Sequence, residues 1–265
     1  MSRTATVITA EMTIDSLRPV GLDELVRRAA LLTRVDRKYL LPAGQLPSLL
    51  RRLDGDVRVL QIDQRRRFGY RSDYFDTPEL DSYLAAARRR RHRFKVRVRS
   101  YLDSGQQFIE VKTRGERGAT VKQRTPYHWE GSWLGPVAQE HTASVLDRAG
   151  IACDTWRLRP VLATRYQRTT LLLPATGSRV TIDTDLAWAL PDGRAITTPD
   201  RVIVETKTGQ GACGVDRLLW SLGHRPCPVS KYGTGLAALC PDLPANRWQP
   251  VLRRHFPATT EEPQP

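Results

Sequence analysis

Between Phe94 and Val98 apolar and cationic side chains alternate: Phe94, Val96 and Val98 fall on one parity, Lys95, Arg97 and Arg99 on the other. Successive side chains of an extended strand leave opposite faces, so the pattern predicts a strand with one apolar and one cationic face. Similar strand-like runs are RKYLL near residue 39, FGYRSDYFD near 72, QFIEVKT near 110, TTLLL near 171, RVTIDTDLAWAL near 184 and RVIVETK near 204. Helical spacing is found at Leu22–Leu32, Leu46–Leu53, Pro78–Ala87, Val137–Ala149 and, more weakly, in VDRLLWSL after Gly214. In PELDSYLAAA, Leu80 and Leu84 stand at i and i+4 behind an N-terminal proline.

Strands therefore outnumber helices, and the chain echoes itself. RKYLLP at 37–42 resembles RTTLLLP at 168–174, YFDT at 74–77 resembles TIDT at 181–184, and EVKT at 110–113 resembles ETKT at 205–208. The order is the same in both halves, which suggests two related half-sheets that could close into one antiparallel barrel. Pro and Gly are scattered rather than concentrated in a linker, so a single domain over residues 21–256 is expected. Residues 1–20 form a flexible lead-in, and the Pro-rich, acidic stretch 257–265 a disordered tail.

Composition adds a partner class. Hydrophobic residues make up 40% of 265 and charged residues 26%, enough to build a soluble core. Lys and Arg number 42 against 28 Asp and Glu, a net charge of +14 that calls for a polyanionic partner: nucleic acid, an anionic membrane surface or phosphates. No apolar run approaches the ~20 residues of a membrane span, and the N-terminal residues lack a secretory pattern, so a cytoplasmic protein is expected. The four cysteines, Cys153, Cys213, Cys227 and Cys240, show no C-x-x-C spacing and read as reduced thiols without a role. The five histidines form no ligand pattern either.

If alternate residues face a barrel lumen, Lys95, Arg97 and Arg99 line it, as do Glu110, Lys112 and Arg114, and Glu205 with Lys207. Like charges packed side by side cost stability unless a ligand neutralises them, and a polyphosphate chain would do so. The competing reading is the wet face of an open sheet. Carboxylates in so cationic a setting suggest a divalent metal bridging phosphate oxygens, with Glu205 as leading ligand and Glu110 and Asp183 as weaker ones. A salt bridge from Glu205 to Lys112 or Lys207 is the structural alternative. The run Arg88–Arg91, His92 and Arg93 resembles a nucleic-acid footprint, but no recognition module accompanies it, so sequence-specific nucleic acid is not expected as a partner. Walker, dinucleotide and kinase loops are absent, so a phosphate site must be built from side chains.

The order RKYLL, YFDT followed by a Y-L helix, KVRVR, IEVKT, VKQR, RVTIDTDL, VIVETKT and PVSKYGTG resembles the VTC domain, a family of the triphosphate tunnel metalloenzymes, over roughly residues 22–240. The resemblance implies an α+β fold, an eight-stranded antiparallel tunnel with helices outside. It also implies polyphosphate polymerase activity that uses ATP and a divalent metal, Mn2+ or Mg2+. By motif, the phosphate ligands would be Lys38, Arg97, Arg99, Lys112, Lys122, Arg165 or Arg168, Arg179, Ser230 and Lys231, with Glu205 on the metal. Arg97, Arg99, Lys112 and Lys231 would carry the catalysis; Lys95 and Lys207 join the phosphate ligands by alternation. ATP and polyphosphate are the partners implied. The E-x-E-x-K signature of the cyclase and thiamine-triphosphatase branch is missing, with VDRKYLL in its place, which favours the VTC branch. A triphosphatase and a non-catalytic polyanion binder are the rivals.

Overall fold

A computed structural model of the protein describes residues 10, 12–29, 35–114, 120–131, 133–209 and 211–256. Its strands are β1 (Arg18–Val20), β2 (Val35–Pro42), β3 (Arg58–Leu60), β4 (Phe68–Asp76), β5 (Phe94–Tyr101), β6 (Gln107–Arg114), β7 (Thr120–Pro126), β8 (Arg159–Leu173), β9 (Ser178–Ala189), β10 (Ala195–Thr198) and β11 (Arg201–Thr208). Its helices are α1 (Leu22–Arg28), α2 (Leu46–Arg51), α3 (Asp81–Ala87), α4 (Pro136–Arg148), α5 (Gly214–Ser221), α6 (Lys231–Leu239) and α7 (Gln249–His255). Eight strands follow one hydrogen-bonded order, β2-β11-β9-β8-β4-β5-β6-β7, the antiparallel α+β arrangement expected. Among the described residues β2 and β7 end this order without a ladder between them, so the pairing that would close a barrel is absent.

The chain divides into two compact units. The first comprises Met1–Gly69, Tyr166–Leu186 and Thr198–Val229; the second comprises Tyr70–Arg165, Ala187–Thr197 and Ser230–Pro265. In the first, β11 is the middle strand between β2 and β9. Tyr39, Leu41, Val180, Ile182, Val202 and Val204 put one face of these strands into a core completed by Leu46, Leu49 and Leu50 of α2 and Val215 and Leu219 of α5. In the second, β6 is the middle strand between β5 and β7. Phe94, Val96, Val98, Ile109 and Val111 form the apolar face, packed on Ala138, Val145 and Leu146 of α4. Burying a Val or Ile side chain there stabilises by roughly 1.5–3 kcal/mol, which fixes the register, since a one-residue slip would bury the cations instead.

EVKT and ETKT thus occupy matching places, the middle strand of a three-strand ladder in each unit. The other two echoes do not match: RKYLLP is at the end of the order in β2 and RTTLLLP inside it in β8, while YFDT ends β4 and TIDT lies within β9.

Helix boundaries follow local chemistry. α4 starts with Pro136 at its first position after an extended Gly135 and stops before Gly150, whose φ of +62° suits a residue without Cβ. α3 starts three residues later than the sequence predicts, because Leu80 takes a left-handed φ of +58° and the first-turn amides are captured from upstream. Asp76 accepts the Ser82 and Tyr83 amides at 2.9 Å each, and Thr77 Oγ1 accepts that of Asp81 at 3.1 Å. The end of the predicted Leu22–Leu32 helix lies outside the described residues, as do half of the N-terminal lead-in and the tail 257–265. Helix α6 is invisible to helix propensity because KYGTGLAAL carries two glycines. Their reason is packing: a Cβ on Gly233 would lie 2.2 Å from Trp248 Cζ2, and one on Gly235 2.1 Å from Trp188 Cδ1.

Candidate functional site

Opposite its apolar face, the second unit carries a cationic one whose members meet in register. One rung across β5, β6 and β7 is Arg97–Glu110–Arg124, and the next is Lys95–Lys112–Lys122. Lys95, Arg97, Arg99, Lys112, Lys122 and Arg124 share this face of the three strands with one carboxylate, Glu110. Arg97 donates to Glu110 Oε2 from Nε at 2.8 Å and Nη2 at 2.5 Å, Arg99 Nε lies 3.8 Å from the same oxygen, and Lys122 Nζ lies 2.5 Å from Oε1. Glu110 is 1% exposed, Arg97 11% and Arg99 10%. Burial alone would raise the Glu110 pKa, yet Arg97, Arg99 and Lys122 hold it well below the usual carboxylate range. Lys122 is pulled down to about 8 by burial, with Arg97 and Arg99 adding to the effect and Glu110 opposing it. One carboxylate thus serves three cations.

Aromatic rings back the row. Arg97 Nη1 donates to the Tyr74 hydroxyl at 3.2 Å, Arg99 lies 5.5 Å from the Tyr70 ring centre, and Arg124 lies 5.0 Å from that of Phe108. Lys95 Nζ stands 5.8 and 5.4 Å from the Tyr74 and Tyr232 rings and donates to Ser230 Oγ at 3.1 Å. Ser230 caps α6, accepting the Gly233 amide at 3.1 Å, and Lys231 is its first residue. The helix is anchored from below, where Asp76 of YFDT accepts the Tyr232 hydroxyl and the Thr77, Ser82 and Tyr83 amides. Burial raises the Asp76 pKa, with these hydrogen bonds pulling the other way.

The first unit repeats the arrangement with more acid. Across β2, β11 and β9 the rungs are Asp36–Lys207–Arg179, Lys38–Glu205–Thr181 and Leu40–Ile203–Asp183. Glu205 Oε1 receives Lys38 Nζ at 3.2 Å and Lys207 Nζ at 3.5 Å. Arg168 of β8 clamps the fully buried Asp183, Nε to Oδ1 at 2.6 Å and Nη2 to Oδ2 at 2.8 Å. Burial pulls the Lys207 ammonium down to about 8, and Arg168 and Arg179 act in the same direction against Glu205.

The structure therefore brings Lys95, Arg97, Arg99, Lys112 and Lys122 onto one face, with Ser230 at its side, and Lys38, Lys207, Arg179 and Glu205 onto another. It separates the two residues competing for one motif position: Arg168 is half-buried on Asp183, whereas Arg165 is exposed in the other unit. Glu110 is enclosed by cations, and among the described residues no three acidic, His or Cys side chains cluster as a metal cage. The cysteines are free thiols, with Cys153 and Cys213 raised to about 11, chiefly by burial. Sequence reasoning missed Arg124, whose polar strand carries only the period-two spacing from Lys122, and the Asp76–Tyr232 bond, which joins motifs 156 residues apart.

Fold and site together define an α+β protein whose antiparallel strands bear cationic faces closed on the other side by helix-covered cores. The chain belongs to the VTC domain family, whose model matches residues 33–240. No curated protein matches it. Solved structures similar to it include a proposed adenylate cyclase from Bacillus halodurans, 13% identical, covering 75% of this chain and 94% of that one with a TM-score of 0.47. A proposed adenylyl cyclase from Hippeastrum, described as having a dominant triphosphatase activity, is 16% identical, covering 81% and 100% with a TM-score of 0.44. A Pyrococcus horikoshii protein is 13% identical, covering 73% and 92% with a TM-score of 0.39. Among the described residues no helix is long and apolar enough to cross a membrane.

Proposed function

We infer that this protein transfers the gamma-phosphate of ATP to a growing polyphosphate chain. The observation that carries the reading is the rung Lys95–Lys112–Lys122, three ammonium side chains directly opposite one another on neighbouring strands. Like charges in that position are destabilising on their own, and a ligand with closely spaced negative charges converts the penalty into binding energy. Arg97 and Arg99 offer guanidinium forks to the oxygens of a transferring phosphoryl group, where charge spreads in the transition state. Lys95 and Ser230 orient the neighbouring phosphate, and the first amides of α6 add donors beside Lys231.

The attacking terminal phosphate of a chain is already anionic, so no general base is needed and ADP departs with the bonding electrons. Positioning and charge neutralisation supply most of the barrier reduction. The first unit has a cationic face of its own for phosphate, made by Lys38, Lys207, Arg168 and Arg179. Glu205 fits a hard divalent cation, Mn2+ or Mg2+, because such ions are held through one or two carboxylates with substrate phosphates completing the shell. The ammonium groups now on its oxygen could turn to those phosphates. When bound, the cation would neutralise charge on the triphosphate. Glu110, committed to three cations, is a counter-charge for the phosphate site and not a metal ligand. A cytoplasmic setting, where ATP is plentiful, suits this activity.

The test is to incubate purified protein with ATP and Mn2+, with and without a short polyphosphate primer, and to resolve products by gel and phosphate release. Polymer ladders from wild type, absent with Glu205→Gln and Arg97→Ala, support the transferase. Free phosphate without ladders replaces it by a triphosphatase, and tight polyphosphate binding with neither product replaces it by a non-catalytic binder.

A further inference from the structure

The cationic face of β5 and β6 continues past the lysine rung. Arg93 and Arg114 share its parity, and the Arg114 amide donates to the Arg93 carbonyl at 3.1 Å, so their backbones form the next step beyond Lys95–Lys112. The sequence shows only the run Arg88–Arg93; the fold adds Arg114 from the end of β6 and Arg247 from just before α7. Arg247 Nη1 donates to the Ala86 carbonyl at 3.2 Å and Arg93 Nη1 to the Arg90 carbonyl at 3.0 Å, which ties the first guanidinium to the last turn of α3 and the second to the turn joining α3 to β5. Arg89, exposed in that turn with a φ of +54°, completes the group.

Four arginines from three parts of the second unit thus converge with no carboxylate partner among the described residues. Burial lowers the pKa of Arg93, as do Arg114 and Arg247, and burial lowers that of Arg247, as do Arg89 and Arg114; the four charges feel one another. Backbone carbonyls take only one N–H each from Arg93 and Arg247, leaving guanidinium donors for a ligand with several oxygens.

We propose that Arg89, Arg93, Arg114 and Arg247 form an anchoring subsite for the distal part of a long inorganic phosphate chain, continuous with the cationic face of the same unit and outside the reacting centre. The subsite extends the functional reading given above to product length. Successive rungs lie two residues apart, ~6.6 Å, so the step from Lys95–Lys112 to Arg93–Arg114 is one a linear polyanion crosses without a gap. None of the four arginines lies over an aromatic ring among the described residues, so the stacking that single-stranded nucleic acid uses is missing, which favours the inorganic chain.

The test compares the full chain with the double variant R89Q/R247Q for binding of tripolyphosphate and of a long polyphosphate, by calorimetry at two salt concentrations. The expected result is a long-chain affinity reduced about tenfold or more, with a shallower salt dependence, and an unchanged tripolyphosphate affinity. Arg114→Gln alone, with thermal melting as a check of folding, should lower long-chain affinity in the same sense. Equal losses for both lengths, or no loss for either, overturn the subsite. So does a single-stranded RNA that binds wild type as tightly as polyphosphate and is lost in the same variant, which would make it a nucleic-acid site. Failure of the polymerase assay with length-dependent binding intact would remove the catalytic reading and leave this subsite standing.

Discussion

Arg97 places both its Nε and its Nη2 on a single oxygen of Glu110, at 2.8 and 2.5 Å, while Lys122 takes the other oxygen. Glu110 is thus the sole counter-charge that this rung provides to the cations beside it. Glu110→Gln keeps the shape and removes the charge. Breaking a buried pair in this way costs about 3–5 kcal/mol, so the free variant should melt well below wild type. A bound polyanion supplies the missing charge, so tripolyphosphate should raise the melting temperature of the variant by more than that of wild type. Melts with and without the ligand decide it; equal shifts in the two proteins would remove Glu110 from the phosphate site.

The Lys207 ammonium is 15% exposed and shifted down to about 8, so if it binds phosphate as proposed, stability and binding should respond oppositely to pH. Its pKa in the fold lies below that of the unfolded chain, ~10.4, so between the two values the unfolded state holds more protons and stability rises with pH. Below pH 8 both states carry the charge and the full penalty of burying it is felt. Lys207→Met lacks this penalty, so its stability advantage over wild type at pH 7 should shrink by up to roughly 3 kcal/mol toward pH 10.5. Polyphosphate binding, which needs the charged form, should weaken in wild type above pH 8 and show less of that dependence in the variant. Denaturant titrations and binding isotherms across pH 7–10.5 read both; parallel profiles would contradict the shift.

How much of this the sequence discloses depends on which link of the argument is local. The period-two pattern of FKVRVRS places Lys95, Arg97 and Arg99 on one face correctly, because Val96 and Val98 can be buried in only one register. The alternation in EVKT and ETKT likewise gives Glu110 with Lys112 and Glu205 with Lys207. What the sequence hides is nonlocal. Arg124 is missed, and Lys122 is named only through the family resemblance, because both sit on a strand with almost no apolar residues, whose existence depends on pairing with β6. What sets Arg168 apart from Arg165 is Asp183, a partner that only the β8–β9 arrangement supplies. The strand order is nonlocal too: among the described residues no ladder joins β2 to β7, and the short echoes RKYLLP and RTTLLLP record similar residues and not equivalent places in that order.

The glycines of SKYGTG make room for two tryptophans, Gly233 for Trp248 and Gly235 for Trp188. Gly235→Ala puts a methyl 2.1 Å from Trp188 Cδ1, closer than van der Waals contact allows, and Trp188 is buried with its Nε1 bonded to the Lys231 carbonyl at 2.8 Å. Neither side can retreat cheaply, so the substitution should destabilise by at least about 1–3 kcal/mol, as overpacking does, although alanine has the higher helix propensity. Chemical denaturation checks the sign. A more stable Gly235→Ala protein would mean that propensity outweighs the clash and that α6 is free to move.

Asp76 and Tyr232 link the end of β4 to the helix that presents Ser230 and Lys231, so under the proposed function they are positioning residues for the phosphate site. Tyr232→Phe removes one donor to a buried carboxylate that retains three backbone amides, a loss of about 1.5–3 kcal/mol. Asp76→Asn should be worse despite its similar shape. Oδ1 accepts the Thr77 and Ser82 amides and Oδ2 that of Tyr83, so whichever oxygen becomes NH2 then faces an N–H donor. Both variants should raise the Kd for tripolyphosphate through a displaced Ser230, and Ser230→Ala should cost less on the Tyr232→Phe background than on wild type. A double-mutant cycle on that affinity measures the coupling, and strictly additive losses would show that the Asp76–Tyr232 bond supports the fold without placing the helix for its ligand.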